Sequence, residues 1–363
     1  MYKYFDNLIR TLLDVSKSID ENAVLRESKS YIPKYLYKYR PCDKKAFDML
    51  EQEYLWFDMP STYTDPFDSR VQIGLRYELP QIQEWFEKHI GELVYYRLEP
   101  KGMMQNKGKH KLIDYINLQE SFIDKNGKFN AKLANKKLAL EIKKLSPEGK
   151  HQYKKALAYY ESEEFKVDCN NIIEKVISGI QDFFRNSKIM VCLTKRNDNS
   201  KMWEEYANKF SGFCIEYKIR IDDMKSKECK RLLLNMFPVK YYKRIPRIKL
   251  LPFIIRDYQK TFYSREYDIK EEVVKLYKQM LCKRNEYACE EEWRIILNET
   301  KARKVDFPYI SAVYAGMRIS EKNLKRLKAI CRRKNIRLYK QRLDRMSNKY
   351  VFDELDVKFD KKC

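Results

Sequence analysis

Residues 310–343 read ISAVYAGMRISEKNLKRLKAICRRKNIRLYKQRL. The apolar run ISAVYAG has strand character and stops at Gly316. Ser320 is placed to cap a helix, and apolar residues recur at helical spacing to about Lys334. IRLYKQRL then returns to strand character. Strand, helix and strand in this order make one βαβ unit, which requires a parallel strand pair.

Further strands are read upstream. CEEEWRIILNE (289–299) carries a Trp, Ile, Ile, Leu run. FCIEYKI (213–219) alternates, with Phe213, Ile215, Tyr217 and Ile219 on one face and Glu216 and Lys218 on the other. SKIMVCLTK (187–195), FPVKYY (237–242), VQIGLRY (71–77), residues 54–58 and the aromatic YLYKYR (35–40) complete the set. Helices are read from Lys44 to Gln52, over KMWEEYANKF with Gly212 as its stop, and over about 265–288. Residues 80–185 are rich in Lys, Glu and Gln with apolar positions at helical spacing. The fold class expected is therefore α+β: a mixed central sheet with a C-terminal βαβ unit and a large helical insertion.

The domain layout follows. Residues 1–33 hold an amphipathic helix with Phe5, Leu8, Ile9, Leu12 and Leu13 on one face, expected to pack on the body. The core spans 34–345, interrupted by the insertion at 80–185. Residues 346–363 make an edge strand and tail.

The 363 residues are 44% hydrophobic and 14% aromatic, enough to bury a core. Nine glycines argue against glycine-rich phosphate loops as a main device. Nine cysteines, an odd number without a CxxC pair, fit reduced thiols in the cytoplasm. Three histidines without ligand spacing give no zinc site, so no metal ligand is assigned. The N-terminal segment is too short and too charged to span a membrane, and no membrane partner is expected. Seventy-five Lys and Arg against 52 Asp and Glu give a net charge of +23. Residues 240–256 carry six basic residues and no acid, and residues 318–345 carry twelve against Glu321 and Asp344. Such segments are either solvated faces or contacts for nucleic acid.

Five constellations could carry chemistry. Tyr37 and Tyr39 share a strand face, and Arg40 follows at the rim. They either stack on a base and bind a phosphate, or pack as ordinary strand residues. Asp65 and Asp68, three apart across Pro66, either hold a cation or ribose hydroxyls, or serve a turn. Trp203 and Tyr206 at i and i+3 either clamp a ring at a cleft or belong to the core. Glu292 and Arg294 point together, opposite Trp293, as a salt bridge or as a catalytic glutamate held ionised. Gly316 and Arg318 precede the helix start at Ser320, where an anion could sit.

The order of YLYKYR, LWF-x-x-P-x-x-YTDPFDS, a variable helical insert, MWEEYANKFSGFCIEY, EEEWRI and VYAGMRIS resembles a large bacterial family known only as a domain of unknown function. Thr64 stands where its members usually have Asn. The resemblance spans about residues 34–345 without most of the insert, and implies an accessory gene of bacterial or phage origin, of phage-defence or toxin-like kind. More remotely, the layout looks like the ADP-ribosyltransferase group. That likeness implies NAD as substrate, Glu292 as the late glutamate that steadies a ribose oxocarbenium, Arg40 and Arg294 on phosphate, and Tyr37, Trp203 and Tyr206 on rings. Asp65 and Asp68 would bind ribose or order their loop. An NAD-using transferase or glycohydrolase, with nucleic acid as a candidate target, is the leading expectation. The alternatives are a nuclease gathering Asp65, Asp68, Glu216 and Glu292 around Mg²⁺, and a non-catalytic nucleic-acid-binding protein.

Overall fold

In the computed structural model the described residues are 1–14, 18–63, 68, 70–89, 147, 151, 154, 158, 159, 161–221, 226–263 and 266–357. The chain forms two compact units. The first is Met1–Arg70, Asp182–Pro246 and Leu276–Cys363, and the second is Val71–Gln181 and Arg247–Lys275.

The first unit opens with helices α1 (Tyr2–Leu13) and α2 (Glu21–Ser28). β1 (Tyr35–Arg40), α3 (Lys44–Gln52) and β2 (Tyr54–Phe57) follow. Asp43 caps α3 by accepting from the Ala46 N–H at 2.7 Å, and Glu53 ends it in the left-handed region at φ 54°. The second unit contains α4 (Leu75–Lys88), and α5 spans Glu163–Asn186. β3 (Ile189–Thr194), α6 (Ser200–Glu205), β4 (Phe213–Lys218), α7 (Lys227–Leu234), β5 (Met236–Pro238) and β6 (Lys240–Tyr242) return to the first unit. After α8 (Leu251–Tyr263) and α9 (Lys270–Gln279) come β7 (Cys282–Arg284), β8 (Glu292–Leu297), β9 (Arg303–Asp306), β10 (Ile310–Ala315), α10 (Glu321–Lys334), β11 (Arg337–Asp344) and β12 (Lys349–Leu355).

Eight strands form one sheet in the order β12-β11-β10-β4-β1-β3-β8-β5. β10 and β11 are parallel and joined by α10, the βαβ unit expected at 310–343; the other neighbours are antiparallel. Mixed direction and interspersed helices make the fold α+β. α1 packs on the sheet, with Phe5 edge-on to Trp293 at 5.5 Å and to Phe237 at 6.0 Å. β12 is the edge strand expected near the C-terminus.

Several expectations shift. Residues 237–242 break into two strands in different sheets: β5 pairs with β8, and β6 pairs in parallel with β7. The helix expected over 265–288 is α9 alone. Cys282–Arg284 leave it because Lys240–Tyr242 offer a strand partner, so tertiary pairing overrides the local pattern. Residues 71–77 give one bridge, Ile73 to Ile248, and then helix from Leu75. The second unit adds 247–275 to the insertion. In that unit the buried Glu78 carboxylate accepts from the N–H groups of Leu250 and Leu251 at 2.8 and 3.2 Å, closing the start of α8. Most of the insertion lies outside the described residues.

α6 ends before the Gly212 stop expected of it. Asn208, Lys209 and Phe210 all take positive φ, at 45°, 52° and 69°. L-residues enter that region at a cost of roughly 1–2 kcal/mol each. Local bonds hold the turn: Lys209 N–H to Glu204 O at 3.0 Å, Phe210 N–H to Trp203 O at 3.1 Å, and Gly212 N–H to Ala207 O at 2.8 Å. A Cβ at Gly212 would overlap the Arg40 carbonyl oxygen, and one at Gly316 the Phe210 carbonyl oxygen. Glycine is thus required at both positions by close backbone approach.

Gly212→Ala and Gly316→Ala are each expected to cost about 1–3 kcal/mol, the usual range for overpacking. Gly179→Ala, where a Cβ on α5 meets nothing within 4 Å among the described residues, should be neutral or stabilising by up to about 1 kcal/mol. Urea unfolding of the three variants checks the contrast.

Candidate functional site

One row of paired residues crosses the sheet: Glu216 of β4, Tyr37 of β1, Thr194 of β3 and Glu292 of β8. Their side chains share a face. β3 meets β1 at the Tyr37–Thr194 pair, whereas Met190 is bridged by Asp58, beyond the end of β2. Between these two partners the Cys192 carbonyl accepts the Lys38 ammonium at 2.6 Å instead of a strand N–H. The sheet is open at this junction. A cavity of about 730 Å³ lies there, lined from one face by Tyr206, Lys283 and Glu292 and from the other by Arg40, Lys45 and Trp56.

Arg294 anchors the floor with 0% exposure. Its Nε donates to Glu292 Oε1 at 2.6 Å, its Nη1 to the Met280 carbonyl at 2.6 Å, and its Nη2 to Asp68 Oδ2 at 2.9 Å. Lys283, on β7, sits 2.7 Å from Glu292 Oε2 and 2.8 Å from Glu290 Oε2. Asp68 is 3.7 Å from the same ammonium. Glu292 also donates its backbone N–H to Tyr241 Oη at 2.8 Å. The glutamate is therefore fixed in position and in charge. Burial alone would raise its pKa, but Arg294 and Lys283 outweigh burial and hold it well below the usual range. Burial opposes the charge of Lys283, and Glu292 and Asp68 overcome it and raise its pKa.

Glu290 differs. Burial raises its pKa, with Lys283 opposing. One carboxylate oxygen, Oε1, is buried with no hydrogen-bond partner among the described residues. Cys192, beside the cluster, has its thiol pushed up to about 12, chiefly by burial and then by Glu292, so it is a neutral thiol at neutral pH.

The residues singled out in the sequence fall in different places. Glu292, Tyr37, Tyr39, Arg40, Asp68 and Tyr206 all line the cavity. Tyr206 is 46% exposed at its mouth. Tyr39 is buried and its hydroxyl donates to the Arg196 carbonyl at 2.9 Å. Tyr37 donates to Glu216 at 3.2 Å. Trp203 is 0% exposed, edge-on to Tyr39 at 5.1 Å, with its indole N–H on the Asn197 carbonyl, so its ring is spent on the core. Arg294, expected on phosphate, is committed to Asp68, Glu292 and Met280 beneath the cavity. Arg318 is exposed, 5.9 Å from the Phe210 ring centroid. Asp65 lies outside the described residues. Glu216 accepts from Tyr37, Ser311 and Tyr314 and stands three strand spacings, about 14 Å, from Glu292. A metal held by Glu292 therefore has to do without Glu216. Among the described residues no group of three His, Cys, Asp or Glu is arranged to hold a metal ion.

Sequence reading did not select Lys283, Lys38 or Tyr241, and it placed Glu290 beside Glu292 and Arg294 without giving it a role. For Glu290 the signal was present, since it alternates with Glu292 and Arg294. The basic segments are partly paired: Lys240 with Asp6 at 3.1 Å, Arg333 with Glu51 at 3.0 Å, Lys334 with Glu53 at 2.8 Å and Arg342 with Asp353 at 2.6 Å. No described helix is long and apolar enough to cross a membrane.

Because its folded pKa is depressed, Glu292 contributes stability above its ordinary value of 4.5 and loses it as pH falls below that value. Glu292→Gln should cost about 3–5 kcal/mol at pH 7, as expected when one partner of a buried pair is removed. Its stability should also fall less steeply below pH 4.5 than that of the unaltered protein. Glu290→Gln carries the opposite sign, because a raised carboxyl pKa works against folding at neutral pH and is relieved by acid. Urea unfolding across pH 3–7 checks both; parallel acid limbs for the three proteins would contradict the assignment.

Residues 202–295 match the model of a family described as "Protein of unknown function (DUF2971)". The matched segment contains Tyr206, Lys283, Glu290, Glu292 and Arg294, so most of the ion cluster lies inside it. No curated protein and no solved structure matches the chain. Over this segment, then, the chain is similar to an uncharacterised family.

Proposed function

We propose that the protein is an enzyme of toxin or phage-defence type that uses NAD in this cavity, transferring its ADP-ribose or hydrolysing its nicotinamide–ribose bond. The observation that carries this reading is Glu292, a carboxylate held ionised and immobile at the cavity wall by Arg294 and Lys283. In the reaction the C–N bond breaks and its electron pair leaves with nicotinamide, which departs neutral. Positive charge develops on the ribose carbon and ring oxygen. A fixed anion that does not have to reorganise is well suited to stabilise that charge. The incoming water or acceptor hydroxyl gives up a proton. Glu290, with one unpartnered oxygen and a raised pKa, is suited to receive it. Tyr206, half exposed at the mouth, offers a ring face to nicotinamide or adenine. The volume is ordinary for a small-molecule site. Nucleic acid is the candidate acceptor, on the strength of the basic segments at 240–256 and 318–345.

Incubation with NAD labelled in the adenylate, with and without RNA or DNA, tests the reading. Released nicotinamide or labelled nucleic acid is the expected result. Glu292→Gln, shown to be folded by circular dichroism, should lower kcat by a factor of about 100 or more, and Tyr206→Ala should act mainly on KM. Folded protein that turns over no NAD under any of these conditions sinks the proposal.

A further inference from the structure

Three cations, Lys38, Arg40 and Lys45, line the cavity outside the ion cluster, and among the described residues none of them touches a carboxylate; Lys38 meets Glu292 and Lys283 through the field alone. Lys38 bonds to a backbone carbonyl, and burial, reinforced by Arg40, lowers its pKa to about 8. Lys45 lies over the Trp56 ring at 4.2 Å. Arg40 makes no side-chain hydrogen bond or ion pair among the described residues, and its Nε is buried without a partner. Tyr217, Asp43, Asp58 and Tyr54 act on Arg40 through the field alone. Asp43 is occupied in capping α3.

A buried guanidinium N–H without an acceptor costs free energy that folding alone does not recover. Lys38 and Arg40 are next-but-one neighbours on β1 and so project from the same face of the strand. Lys45 comes from the first turn of α3, just beyond the end of β1. Arginine with flanking lysines matches the oxygens of a phosphate group, the arginine through paired N–H donors and the lysines as point charges. Arg294 cannot share the task, because its donors already face Glu292, Asp68 and Met280.

We infer that Lys38, Arg40 and Lys45 form an anion subsite for the phosphates of a nucleotide carrying at least two of them. This deepens the proposed function and rests on it for the placing of the reacting ribose at Glu292; the binding of phosphate stands by itself. The subsite gives the cavity two ends, phosphates at the opening between β1 and β3 and the glycosidic bond at the ion cluster. It also predicts that Arg40 is present for ligand and not for folding.

Titration calorimetry with the full chain at low salt, using adenosine, AMP, ADP and inorganic pyrophosphate, is the test. ADP and pyrophosphate should bind, AMP more weakly, and adenosine at least tenfold more weakly than ADP. Affinity for ADP should fall as salt rises. Arg40→Gln and the rim variant Lys45→Glu should each weaken ADP binding tenfold or more, while Arg40→Gln melts no lower than the unaltered protein. Loss of binding together with a lowered melting temperature in Arg40→Gln, and no effect of Lys45→Glu, would assign Arg40 to the fold and overturn the subsite. Equal affinity for adenosine and ADP would overturn it too. ADP binding without any NAD turnover leaves the subsite standing and removes the NAD reaction. NAD turnover with KM unchanged in both variants does the reverse.

Discussion

A guanidinium with no exposure to water sits beneath the sheet, and the arrangement of the site follows from the need to satisfy it. Arg294 has five donors and no way to shed its charge. It meets that demand with Glu292 from its own strand, Asp68 from the loop after β2, and the Met280 carbonyl from the turn between α9 and β7. Three segments, one of them more than two hundred residues away in sequence, are thereby held to one point. The turn at Met280 brings β7 alongside β6, and β7 brings Lys283. The cluster Asp68, Glu290, Glu292, Lys283 and Arg294 carries three acids against two bases, and Lys38 approaches from the neighbouring junction. A replacement of such a cluster by apolar residues is often no less stable, so stability alone is a weak reason for its existence.

The second constraint is the parting of β1 from β3. A continued ladder would close the sheet and leave no cavity. β3 is instead shared, Thr194 with Tyr37 and Met190 with Asp58, and the Cys192 carbonyl between them falls to Lys38. The strained turn at 208–210 lies just beyond the lining residues Met202, Glu205 and Tyr206. Its backbone presses on the end of β1 at the Arg40 carbonyl, which is why Gly212 has no side chain, and it follows directly on Tyr206 at the cavity's rim.

Much of this was legible in the sequence where the signal is local. YLYKYR and KKAFDMLEQ form the strand and helix expected of them, because aromatic alternation and an Asp cap act within a few residues. The alternation in EEEWR put Glu292 and Arg294 opposite Trp293, and the pairing of β8 with β3 keeps them there. The rest depends on contacts between distant residues. Lys283 was hidden in a stretch read as helix, because its strand state comes from β6, some forty residues away. Trp203 was readable as core or as a ring clamp, since an aromatic pair at i and i+3 looks the same in both places; packing assigns it to the core. Arg40 and Arg294 are alike in sequence, each ending or following an aromatic strand residue. Arg294 is enclosed by acids and Arg40 lacks a partner among the described residues, and three-dimensional packing alone distinguishes them.

The two glutamates of the cluster show what the arrangement achieves. Both reach the Lys283 ammonium, at 2.8 and 2.7 Å, so their near oxygens lie within about 5.5 Å of each other. Two carboxylates that close cannot have the same environment and both remain easily ionised. Arg294 breaks the symmetry by bonding to Glu292 and not to Glu290: with Lys283 it holds Glu292 down against burial, while burial raises Glu290. Glu292 is kept ionised, and Glu290 is the easier of the two to protonate. Pairs separated in this way divide the labour of stabilising charge and moving protons in many active sites. A cluster serving only to tie segments together would gain nothing from leaving Glu290 Oε1 without a partner at the edge of a cavity. The same reasoning applies to Arg40 on the far wall: two orphaned polar atoms, one acidic and one basic, border one space, and a phosphorylated ligand with a reactive sugar at its other end would satisfy both.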